Sequence, residues 1–189
     1  MENEFGITRE MILEIVKATS IAMKRLKRYQ IDEYSITMSN KNLSELLSKT
    51  FEGAAAKIFS KRLGYKIEKE KVDRDPDLTF TKINRPLEVK VTSTDYAWTG
   101  GEFSQRAPDY LLVSWGGDFD EFYITLVRID HDDWQSRMAQ RFYGPSFTIR
   151  KLFEKDRIEF MGKLEMGIKG RIEMRREKIH IDEKEILIE

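Results

Sequence analysis

Ile12, Ile15, Val16, Ala22, Met23 and Leu26 recur at helical spacing behind Thr8, a good N-cap residue, which predicts a first helix ending in the basic run Lys24, Arg25, Lys27, Arg28. Positive charge at that end complements the helix dipole. A polar stretch from Gln30 to Asn42 leads into a second, longer helix from about Leu43 to Leu63, stopped by Gly64 in the usual C-terminal position. After Gly64 the period becomes two. Tyr65 to Lys71, Asp77 to Thr81 and Leu87 to Thr92 read as neighbouring antiparallel strands, with Asn84-Arg85-Pro86 as a turn before the third. Tyr110 to Trp115 and Phe122 to Ile129 are apolar enough to be buried strands, and the Gly-, Ser- and Thr-rich stretch from Asp95 to Ala107 is then a loop between two strands of one sheet. Asp132 to Phe153 looks partly helical, broken at Gly144-Pro145, and Ile158 to Glu189 alternates like a further antiparallel set.

Together these elements predict an α/β (α+β) fold: a mixed central sheet flanked by helices, with an additional C-terminal antiparallel β segment. At 189 residues the chain fits a single domain, with a core from about 43 to 130 and a β-rich extension from about 155 to 189.

Composition narrows the chemistry. No cysteine is present, which removes disulfide frameworks, zinc ribbons, iron–sulfur sites and thiol nucleophiles. His131 and His180 are the only histidines, so His-centred chemistry is disfavoured and neither is assigned a role. Thirty-three Lys and Arg balance thirty-three Asp and Glu, so a polyanion must be met by a local patch, not by a uniformly basic coat. No run approaches the roughly 18 to 20 apolar residues of a membrane span, and the acidic start is unlike a signal peptide, so a cytoplasmic protein without membrane contact is expected.

Carboxylates and lysines remain, and they converge at one place. Asp75-Pro76-Asp77 is followed, eleven positions after Asp77, by Glu88-Val89-Lys90. Strand alternation puts Glu88 and Lys90 on one face while Leu87, Val89 and Val91 anchor the strand in the core. With Asp77 opening the partner strand, two hard oxygen ligands suited to Mg²⁺ stand beside an ammonium. The competing reading is a cross-strand ion pair on a solvated sheet face. In the second helix, Glu52 shares a side with Ala55, Phe59 and Leu63, whereas Leu43, Leu47, Ala54 and Ile58 form the other stripe. Gly53-Ala-Ala-Ala56 lacks bulk, which would let the helix approach the sheet. The other possibility for Glu52 is an exposed side chain supported by Lys49.

Pro76-Asp77 and Glu88-Val89-Lys90, preceded by a glutamate-bearing helix and Gly64-Tyr65, resemble the signature of the PD-(D/E)XK nuclease superfamily in its order. The likeness covers about Leu43 to Trp115. Trp98-Thr-Gly-Gly-Glu-Phe-Ser-Gln-Arg106 followed by Asp109-Tyr-Leu-Leu-Val is similar to small type II restriction endonucleases of that superfamily. The resemblance implies a restriction-endonuclease-like core, catalytic Glu52, Asp77, Glu88 and Lys90, and a Mg²⁺ site formed by Asp77, Glu88, Val89 and Glu52. It implies double-stranded DNA as partner.

Candidate DNA contacts follow from position and chemistry. Thr92 and Ser93 end the Lys90 strand; Gly100 and Gly101 allow close backbone approach to a phosphate; Ser104 and Gln105 offer neutral hydrogen bonds and Arg106 a fork. Arg141 and Arg150 with Lys151 flank a second basic surface, for which solvated helical charge is the alternative. Trp115, Trp134 and Phe147 are expected in the core, and Met23 and Met38 pack better than they would wedge between bases. Net neutrality favours a sequence-specific enzyme over a broadly basic one. The expected activity is Mg²⁺-dependent hydrolysis of duplex DNA at a short palindromic site by a homodimer, with a Holliday-junction resolvase and a non-catalytic DNA-binding module as the competing readings.

Overall fold

The computed structural model describes residues 3–69, 76–99, 108–134 and 145–188. Helix α1 spans Arg9–Leu26, its first turn capped by Thr8, whose side chain accepts from the Met11 N–H, and it continues through a π-helical turn, Lys27–Asp32. Helix α2 runs Asn40–Leu63 from the Ser39 cap to Gly64, whose left-handed φ of 74° closes it.

Strands β1 (Ile67–Lys69), β2 (Leu78–Phe80) and β3 (Arg85–Thr92) follow, then β4 (Ala97–Thr99), β5 (Asp109–Gly116) and β6 (Glu121–Arg128). Next come β7 (Ser146–Thr148), α3 (Ile149–Glu154), β8 (Arg157–Met161), β9 (Lys163–Met166), β10 (Ile172–Arg175), β11 (Glu177–Lys178) and the short α4 (Glu183–Ile186). The central sheet has the order β1-β2-β3-β5-β6, and β6 pairs along its length with both β8 and β11. Among the described strands only β3 and β5 run parallel, which makes the sheet mixed; the segment between them does join two strands of one sheet, but Ala97–Thr99, expected within a loop, form β4 and pair with β7.

Two apolar clusters lie on opposite faces. On one face Leu87, Val89, Leu111 and Val113 pack under Ile12, Ile15, Leu47, Phe51 and Phe59 of the two long helices. On the other, Tyr110, Leu112, Tyr123 and Val127 meet Trp98, Phe147, Leu152 and Leu164 from the β4–β7 pair, α3 and β9. Strand β5 is buried on both sides, as its unbroken apolar run requires.

Three local expectations change. The β2–β3 turn occupies Thr81–Asn84, with Asn84 at φ 50°, so Arg85 and Pro86 already belong to β3. The C-terminal strands are not a separate segment: β8 and β11 extend the central sheet, and only β9 and β10 form a hairpin of their own. The basic end of α1 clamps the tail as well as facing its dipole. Arg25 donates to the carbonyls of Glu185 and Ile186, while Arg28 pairs with Glu183.

Candidate active site

The Leu78↔Leu87 register brings Asp77, just ahead of β2, across from Glu88. The Val89 N–H donates to Asp77 Oδ2 (2.8 Å), the Asp77 N–H to Glu88 Oε2 (3.4 Å), and Lys90 Nζ to Glu88 Oε1 (2.6 Å). Alternation does the rest. Leu87 and Val89 are buried against the helices, and Glu88 and Lys90 lie beside Tyr110 and Leu112, their register partners on β5. Asp77 is 8% exposed, so the ion pair on a freely solvated sheet face does not describe this group.

Burial first, and then the charge of Glu88, push the Asp77 carboxyl up to about 7, a rise to which Glu52 adds. Lys90 and the Val89 N–H act in the opposite sense but do not cancel it. The site therefore carries more negative charge than its own cation compensates. For Lys90, burial acts to lower the pKa, yet Glu88 and Asp77 outweigh it and the direction is upward. Its carboxylate partners thus keep Lys90 an ammonium, a group that stabilises charge and orients water.

Glu52 is buried, 1% exposed, so the exposed alternative for it falls. Its oxygens accept from Ser48 (3.0 Å) and Lys49 (3.2 Å) one turn back, and Lys69 of β1 stands 3.7 Å away. The Lys49 contact is real and coexists with burial. The buried stripe of α2 is Leu47, Phe51, Glu52, Ala55 and Phe59, so Leu47 shares Glu52's side instead of opposing it. Gly53 faces solvent with open space where a Cβ would stand, and it is Ala55 that meets the sheet side.

At the exit of β3, Thr92 Oγ1 accepts from the Thr94 N–H (3.2 Å), and the Ser93 carbonyl accepts from Arg176 (3.4 Å). Arg176 also donates to Ser114 Oγ (2.8 Å) and pairs with Asp95 (2.5 Å), which ties the C-terminal segment to the residues just beyond Lys90. Neither Arg176 nor Lys69 is legible as a site neighbour in the sequence: Lys69 ends β1 and Arg176 lies between β10 and β11, both in charge-rich stretches, and only the tertiary fold brings them near. Arg150 is 83% exposed and makes an i,i+4 pair with Glu154. Gly100, Gly101, Ser104, Gln105, Arg106 and Arg141 lie outside the described residues. Trp115, Trp134 and Phe147 are buried, as is Met23. An open groove of about 300 Å³ between α1 and the C-terminal segment shares no residue with this cluster, and its Arg9, Lys17 and Lys178 are all paired with carboxylates.

Among the described residues no three His, Asp or Glu side chains are grouped closely enough to hold a metal by themselves. Asp77 and Glu88 nevertheless fit Mg²⁺, which is held through one or two carboxylates plus waters and substrate phosphate oxygens. The observation behind that fit is geometric: the β2–β3 register sets the Asp77 and Glu88 carboxylates, both hard oxygen donors, across from each other beside the Lys90 ammonium. Glu52 sits within electrostatic reach but is turned to its own donors. No protein-family model matches the chain, and no curated protein matches it in sequence.

Proposed function

We propose that the chain is a PD-(D/E)XK-type, Mg²⁺-dependent endonuclease that hydrolyses phosphodiester bonds of double-stranded DNA, of the type II restriction class, acting as a homodimer at a short palindromic site. The observation that carries this reading is the hydrogen-bonded Asp77–Glu88–Lys90 cluster across β2 and β3. Attack on an anionic phosphodiester needs charge neutralisation, an aligned water and stabilisation of the departing oxygen. Asp77 and Glu88 would hold Mg²⁺, which when bound supplies Lewis-acid neutralisation of the phosphate. Lys90, kept protonated by Glu88 and Asp77, orients the attacking water and stabilises charge on the phosphoryl oxygens. Glu52 serves as an outlying acceptor whose charge adds to the pull on the cation.

Supercoiled plasmid incubated with the protein and Mg²⁺ should yield discrete fragments with mappable ends, and Lys90→Ala should yield none. Cutting by Lys90→Ala at the wild-type rate would overturn the assignment.

A further inference from the structure

Hairpin β9–β10 has a use that the catalytic cluster does not account for. Its pairing sets Leu164 opposite Met174 and Met166 opposite Ile172, so those four share one face, with Lys163, Glu165, Glu173 and Arg175 on the other. The inner half of the apolar face is occupied: Leu164 is buried in the second cluster, and Ile172 and Met174 pack on it. The outer half is bare. Met166 is 57% exposed, and Ile168, at 84%, is the most exposed large apolar side chain among the described residues.

The tip holds that shape by its backbone. Lys169 and Gly170 are both left-handed (φ 64° and 69°), and the Gly167 N–H donates to the Arg171 carbonyl at 2.7 Å. The base is fixed as well. Gly162 has φ 81°, and a Cβ there would stand 2.6 Å from the Arg175 carbonyl oxygen and 2.9 Å from the Tyr123 ring. Lys163, Lys169 and Arg171 are exposed and have no carboxylate partner among the described residues, whereas Arg175 pairs with Glu165.

Position links this hairpin to the cluster. Leu164 packs in the same apolar group as Tyr110 and Leu112, the β5 partners of Glu88 and Lys90, so the hairpin stands on the face of the sheet that carries those two side chains. Arg176, the residue after β10, is bonded to the Ser93 carbonyl at the exit of the Lys90 strand.

We infer that β9–β10 is a DNA-contacting ribbon: Ile168 with Met166 presses into a groove of the duplex held at the cluster, while Lys163, Lys169 and Arg171 take phosphates beside it. This rests on the nuclease reading, which brings a duplex to that face. A groove walled by two anionic strands over an apolar-edged floor matches an apolar tip that carries the unpaired Lys169 and Arg171, with Lys163 at the hairpin's base and the exposed Glu173 on the opposite face. A second copy meeting tip to tip would instead set Lys169 and Arg171 against their own counterparts.

The test uses full-length wild type, Ile168→Ser, Ile168→Met and the Lys169→Ser/Arg171→Ser double variant. Each is titrated by band shift in Ca²⁺ with a linear plasmid fragment over a range of KCl concentrations. Ile168→Ser should weaken binding roughly tenfold at unchanged salt slope, because one buried apolar contact is lost. Ile168→Met should bind like wild type. The double variant should flatten the log–log salt slope by about 1 to 2, the counterions of two phosphates. Melting temperatures should stay the same, since all three positions are exposed. Wild-type affinity in both serine variants, with Mg²⁺-dependent cutting intact, would overturn the ribbon alone. Weakened binding in those variants, with no cutting by wild type, would keep the ribbon and overturn the nuclease. Conversion of a DNA-free dimer to a monomer by Ile168→Ser, or binding to anionic vesicles in place of duplex, would assign the tip to another partner and overturn it.

Discussion

Asp77 is held in a conflict that a metal-binding carboxylate can exploit and a purely structural one would avoid. Its Oδ2 is well bonded to the Val89 N–H, yet burial and Glu88 keep its carboxyl near neutrality at physiological pH. The unfolded chain releases this proton near its ordinary value of 3.8, and the folded protein releases it only near 7. Stability from this group is therefore complete below about 4 and declines as the pH rises through 7. Asp77→Asn keeps an acceptor for Val89 and removes the penalty. At pH 8 it should melt several degrees above wild type, a gain on the order of 2–4 kcal/mol, and at pH 4 the difference should vanish. Calorimetry across that range checks it, and a wild type whose melting temperature climbs between pH 5 and 8 relative to the variant would contradict the burial argument. Catalysis should move the other way, with cutting lost in Asp77→Asn and Glu88→Gln. Glu52→Gln should raise the Mg²⁺ concentration needed for half-maximal cutting, because it removes charge but little volume. An unchanged Mg²⁺ titration would confine Glu52 to its contacts with Ser48, Lys49 and Lys69.

At the scale of elements, two glycines that look alike in the sequence do opposite things. Gly53 interrupts α2 on the solvent side with nothing near its missing Cβ. Gly53→Ala should stabilise the protein by about 0.5–1 kcal/mol, through helix propensity and a less flexible unfolded chain. Gly162, between β8 and β9, is left-handed and closely surrounded, and Gly162→Ala should cost roughly 2–4 kcal/mol. Urea unfolding of both variants separates the cases; equal effects would mean that neither environment is as described. Helix α2 carries its own lesson, because its apolar stripe is contiguous with a carboxylate. Phe51, Ala55 and Phe59 bury Glu52 alongside them, and Ser48 and Lys49 supply donors from the preceding turn, so burial leaves no unpaired oxygen.

For the whole molecule, equal numbers of acidic and basic residues leave no long-range attraction to a polyanion, so the DNA affinity proposed above would have to be built locally. Many surface cations are already spent internally: Lys24 and Lys27 on Asp118, Lys17 and Arg28 on the tail, and Lys155 on Asp133. Lys163, Lys169 and Arg171 on the β9–β10 hairpin have no such partner among the described residues, as also holds for Lys57, Lys61 and Arg128 elsewhere on the surface. Cutting both strands of a palindrome symmetrically calls for two active sites related by a twofold axis. Sedimentation of the protein on duplex in Ca²⁺ should accordingly give two chains per duplex, and a single chain that cuts both strands would discard the symmetric dimer. Among the described residues no helix is long and apolar enough to cross a membrane.

Residue patterns alone determined both long helices with their Thr8 and Gly64 boundaries, the β5 and β6 strands, and the division of β3 into an apolar side and the Glu88–Lys90 side. These are local or strictly periodic consequences of side-chain chemistry, so nothing distant has to be known. The tertiary structure decided what depends on where strands end up. It put Lys69 beside Glu52 and Arg176 on Ser93, neither of which a spacing encodes, whereas the meeting of Asp77 with Glu88 follows the hairpin that the spacing predicts. It also settled the sense of the Lys90 shift, because desolvation and the fields of Glu88 and Asp77 pull in opposite directions and only their distances say which prevails. Likewise helical angle alone misplaces Leu47, and small size alone misplaces Gly53: which side of a helix is inside depends on what packs against it, and the buried stripe of α2 runs through Phe51 and Ala55.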